Sequence, residues 1–271
     1  MTSRTAIPSS TRPPAASAST EGSVNPLFEY LLRLGDDRLV LGHRLSEWCG
    51  HGPALEEDIA LANVALDLIG QASHFLRLAG TVEGRGRDED ALAYLRDAID
   101  YRNVKLVELP NGDFGRTIVR SFLFDAWSAL SLEKLVHSSH AELAGIAAKA
   151  HKEARYHVRH SGEWVIRLGD GTDESHRRTQ NALDDLWPYI GELFASDEVD
   201  KAHANGIAPD PPSLEPAWRE VVSDVISRAT LTLPLDGYMH SGARQGRHTE
   251  HLGHLLAEMQ ILARSHPGAK W

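Results

Sequence analysis

Residues 59–78, IALANVALDLIGQASHFLRL, restrict the fold more than any other stretch of the chain. Bounded by Pro53 and Gly80 and free of proline, they read as one helix that is apolar around most of its circumference. Such a helix has to be buried between neighbours, which calls for a bundle. Glu56, Glu57 and Asp58 fall in its first turn, where acids complement the positive end of the helix dipole. A preceding helix is expected from Asn25-Pro26, a capping residue followed by a first-turn proline, to about Gly50. Further helices are expected at about 88–107, 114–138, 141–168, 175–203, 216–231 and 247–265, with turns at Leu109-Pro110-Asn111-Gly112 and Gly169 to Thr172 and a proline-rich link at 208–216. No alternating strand pattern and no short repeat is found. The expected class is all-α.

The bulk chemistry excludes several functions. The chain has 271 residues, a formal net charge of −10 and one cysteine, Cys49. The acidic balance and the lack of a basic run argue against nucleic acid or an anionic membrane as partner. One cysteine forms no internal disulfide and suits a reducing cytoplasm. No apolar stretch is expected to reach the ~18–20 residues of a membrane span. The first 24 residues, rich in Ser, Thr, Pro and Ala, are expected to be a disordered tail before a single domain over 25–271.

Acids in the apolar helices carry the chemical question. In an antiparallel hairpin, residues equally far from the turn face each other. With turn centres near 51–52 and 139–140, Asp36 (or Asp37) falls level with Asp67, and Asp125 falls level with Glu153. Acids in such settings are costly unless paired or coordinated. Two hairpins joined by a long crossover describe the ferritin-like bundle, whose metals take Glu from two helices and Glu-x-x-His from the other two. The expected ligands are missing here. Gly70 stands three residues after Asp67, and Tyr156 three after Glu153, in KAHKEARYHVRH. His157 is rotated about 100° further, and His74 lies two turns from Asp67. Lys152 precedes Glu153. The site reads as emptied, with Lys152 and Arg155 as the cations that neutralise Asp36, Asp67, Asp125 and Glu153. No catalytic residue and no metal ligand is assigned to this chain.

Several long motifs carry a resemblance: LGHRLSEWCGH, LANVALDLIGQA, VELPNGDF, FDAW, KEARYH, RLGDGTD and HTEHLGHLLAEMQ. Through them the chain, from Asn25 to Trp271, resembles the structural, non-catalytic C subunits of the bacterial ring-1,2-phenylacetyl-CoA epoxidases, multicomponent di-iron oxygenases of aerobic phenylacetate degradation. The resemblance implies a ferritin-like fold with additional C-terminal helices. It implies pairing with a homologous catalytic subunit that holds the di-iron centre, and no cofactor in this chain. Other small subunits and a reductase complete such complexes, with phenylacetyl-CoA at or near the subunit interface.

Other groupings are weaker. His251, His254 and Glu258 share one face of the last helix, an arguable zinc set without a completing ligand. Asp100, Tyr101, Arg102 and Asn103, with Lys201 and His203, are candidate contacts to the CoA moiety. Ser/His/Asp, Cys/His, P-loop and dinucleotide-binding patterns are absent. Two alternatives stay open: a divergent di-iron or di-manganese oxidase using Tyr156 or His157, and a generic helical scaffold.

Overall fold

The computed structural model describes residues 25–203 and 206–269. The expected tail, residues 1–24, lies outside them. Ten α-helices occur among the described residues, and no strand. Helix α1 (Pro26–Ser46) starts where the Asn25 side chain accepts from Leu27 N at 3.0 Å. Helix α2 (Leu55–Glu83) returns antiparallel to it. The two approach closely: a Cβ on Gly42 would stand 3.2 Å from the Ala65 carbonyl and 2.9 Å from Ile69. Helix α5 (Phe114–Leu135), capped by Asp113, and α6 (Ala141–Gly169) form the second hairpin. The crossover between the hairpins carries α3 (Glu89–Tyr94) and α4 (Lys105–Glu108). Two antiparallel hairpins joined in this way make the ferritin-like arrangement. Helices α7 (Asp173–Leu186), α8 (Glu198–His203), α9 (Glu215–Arg228) and α10 (Glu250–Ser265) are added around it. One contiguous cluster of buried side chains draws on all four bundle helices and on α7, α9 and α10.

Two expected helices are broken. The one at 88–107 stops at Tyr94, and residues 101–104 are extended. The amides of Arg102 and Val104 donate instead to the Asp36 and Asp37 carboxylates of α1, each at 2.8 Å. The one at 175–203 stops at Leu186, because Pro188 has no N–H and the chain tightens into a 3₁₀ segment, Trp187–Leu193. The membrane expectation also needs correction. By length and composition α2 is apolar enough to cross a bilayer, and 44% of its most apolar window is buried in this chain. A core helix of a bundle passes the same test.

Candidate functional site

At the centre of the bundle one polar side chain from each of the four helices joins a single hydrogen-bonded chain. Arg38 of α1 donates through Nε to Gln71 Oε1 of α2 at 2.9 Å and through Nη2 to Ser128 Oγ of α5 at 3.0 Å. Its Nη1 donates to the Leu34 carbonyl, and the guanidinium stands 5.0 Å from the centre of the Phe75 ring. Gln71 passes the chain on, donating from Nε2 to Glu153 Oε2 of α6 at 2.9 Å. Arg38 is fully buried. Burial pulls its pKa down to about 10, against the raising influence of Asp37 and Tyr30, so it stays charged at neutral pH.

The acids predicted at matched levels are held separately. Asp36 pairs with Arg96 of the crossover, at 3.0 Å through Nη1 and more closely through Nη2. Asp37 pairs with Arg244 at 2.9 and 3.1 Å; burial raises its pKa and Arg244 opposes the rise. Asp67 meets His157 Nε2 at 3.0 Å. Asp125 lies 2.9 Å from Ser161 Oγ, which is also 2.8 Å from the His157 carbonyl. One hydroxyl proton cannot serve two acceptors. Ser161 donates to Asp125 while the acid is ionised; once protonated, Asp125 can donate in turn to Ser161 and free the hydroxyl proton for His157 O. Burial pushes the Asp125 pKa up to about 6, so the carboxylate predominates at neutral pH and the protonated form below about pH 6.

Four expectations about these residues are therefore corrected. Arg38 faces Gln71, so the midpoint of the first turn falls at residues 54 and 55, and Asp36 and Asp67 are not level. The second hairpin places Asp125 against Ser161 instead of Glu153. The inward positions follow the acids by four residues, not three: Gln71 and His157 are buried, whereas Gly70 is exposed and Tyr156 is 44% exposed. A 3.6-residue period allows either spacing, and neighbouring helices decide which. Lys152 and Arg155 are exposed, and neither is among the partners of Asp36, Asp67, Asp125 or Glu153. Asp36 and Asp37 are paired by Arg96 and Arg244, and the buried cation at the bundle centre is Arg38.

The remaining candidates are scattered. Among the described residues no three His, Cys, Asp or Glu side chains converge to hold a metal ion, and this includes His251, His254 and Glu258. Tyr101 is fully buried, its hydroxyl donating to the Ala93 carbonyl, and Asn103 is buried on Glu108. Arg102 is engaged with Glu29 at 2.9 Å. These side chains brace the crossover, so the expectation that Tyr101 and Asn103 present a surface to CoA is corrected. Asp100 ends a 3₁₀ turn, and its carbonyl accepts from Arg96. Lys201 is exposed beside Glu198, and His203 is buried against the Tyr30 ring. The sequence alone did not single out Arg38, Gln71, Arg96 or Arg244. Arg38 interrupts an apolar helix as clearly as the acids do; the same test applied to cations identifies it.

A ferritin-like bundle whose centre is spanned by a guanidinium and its acceptors is thus the class this fold and site define. The chain belongs to the phenylacetic acid catabolic protein family, whose profile matches residues 10–271. It is 50% identical over 249 residues to the C subunit of the 1,2-phenylacetyl-CoA epoxidase of Escherichia coli strain K12, covering 92% of this chain and 100% of that protein.

Proposed function

We propose that this chain is the structural, non-catalytic subunit of a phenylacetyl-CoA 1,2-epoxidase in aerobic phenylacetate catabolism. It pairs with a homologous catalytic subunit carrying the di-iron centre and keeps that subunit folded and competent for substrate. The observation that carries the reading is Arg38. Its charge occupies the bundle centre, and Gln71, Ser128 and Glu153 direct their acceptor oxygens or hydrogen bonds into its chain. A permanent cation there repels a metal ion electrostatically and makes one unnecessary for holding the four helices. The reaction, with O2 and electrons from a reductase, belongs to the whole cytoplasmic complex, and phenylacetyl-CoA binds at or near the interface. Neither nucleic acid nor membrane is a partner in this reading. The relative's identity as an epoxidase subunit supports the substrate class. Co-expression with a tagged Glu-x-x-His-bearing ferritin-like subunit tests it: the two chains co-purify and together epoxidise phenylacetyl-CoA, and this chain alone does not. Activity of this chain alone contradicts the reading.

A further inference from the structure

Glycine inside a helix costs stability relative to alanine, so an interior glycine calls for a local reason. At Gly70 of α2 this chain supplies none, because an added Cβ would meet no atom within 4 Å. Gly70 instead borders a groove of about 100 Å³ along the outer seam of α2 and α6, lined also by Leu66, Asp67, His74, Lys149 and Glu153. Two carboxylates border it. Asp67 uses Oδ2 on His157, and Glu153 uses Oε2 on Gln71. The cation at its edge, Lys149, turns to His74 at 3.3 Å and bonds neither acid. Beside the groove, α2 exposes Leu55, Ile59 and Leu66 at 73, 52 and 68%, spaced four and seven residues apart and so on one helix face. Apolar patches of this kind on a helix mark docking sites.

We propose that the groove over Gly70 receives a cationic side chain from an amphipathic helix of the partner subunit, laid along the outer face of α2. This rests on the pairing inferred above and specifies where it occurs. The two acids select a lysine or arginine by charge, the absent side chain of Gly70 gives it room, and the flanking leucines and isoleucine meet the apolar stripe of the docking helix.

The purified chain, titrated with the purified di-iron partner subunit at low and high salt, tests the proposal. Gly70→Leu fills the groove from a Cβ that meets no atom within 4 Å. It should leave the chain's own melting temperature equal or higher while weakening partner binding at least about tenfold, as loss of a desolvated charged contact does. Asp67→Asn with Glu153→Gln keeps a polar partner for His157 and Gln71, and should flatten the salt dependence of binding. A partner that binds both variants with wild-type affinity and salt dependence overturns the proposal. So does a loss of self-association in the variants with partner binding intact, which makes the occupant a second copy. A wild-type chain that binds no partner overturns the pairing itself.

Discussion

Arg38 is the residue on which the centre of the molecule depends. Removing its charge and donors strands Gln71 Oε1 and Ser128 in a buried setting, so Arg38→Met should cost about 2–4 kcal/mol in urea unfolding. Lys152→Met, on the exposed face of α6, should change stability by less than about 0.5 kcal/mol. Equal effects in the two variants contradict the assignment of the buried cation. Asp125 gives a pH signature. Its pKa is near 6 in the folded chain and 3.8 unfolded. The stability it contributes is therefore full below about pH 4 and is lost as pH rises through about 6, a change on the order of 2–3 kcal/mol. Asp125→Asn keeps the donor to Ser161 without ionising. The wild-type-minus-variant difference in unfolding free energy should fall across that window; a flat difference contradicts a buried, protonated acid.

At the scale of elements, the α1–α2 contact is set by small residues. Gly42→Val places a Cβ against the Ala65 carbonyl and Ile69, and the backbone oxygen cannot yield as a side chain can. The expected cost is about 1–3 kcal/mol in chemical denaturation; an unchanged midpoint contradicts the close approach. The four bundle helices are legible in the sequence because each is long, either periodic or, for α2, apolar all round, and marked at one end or both by Asn-Pro, Gly or Asp. The crossover is not. Residues 101–104 are extended because Asp36 and Asp37, some 66 residues earlier, take their amide hydrogens, and no local pattern encodes an acceptor that distant. Pro188 is a local signal for the break after α7, masked by the helical run on either side of it.

For the whole molecule, the fold class follows from the apolar circumference of α2, but the site does not. Mirror counting from an assumed turn centre misplaces the midpoint of the first hairpin by about three residues, which puts Asp36 and Asp67 at different levels, and the i+3 spacing of a metal motif presents Gly70 and Tyr156 as inward positions where i+4 holds. Only packing settles such a register, because 3.6 residues per turn leaves both i+3 and i+4 on nearly one face. The corrected register changes the physical picture of the bundle: its centre holds a protonated guanidinium with acceptors from two other helices, and Gln71 extends the chain to Glu153 of the third.

Metal analysis of the purified, active complex, resolved by subunit after gentle separation, tests most directly the proposal that Arg38 takes the place of a metal in this bundle. Iron is expected with the Glu-x-x-His-bearing partner, with substoichiometric metal on this chain and a melting temperature of this chain unaffected by chelator. About two irons bound to this chain, with a chelator-sensitive melting temperature, would contradict it.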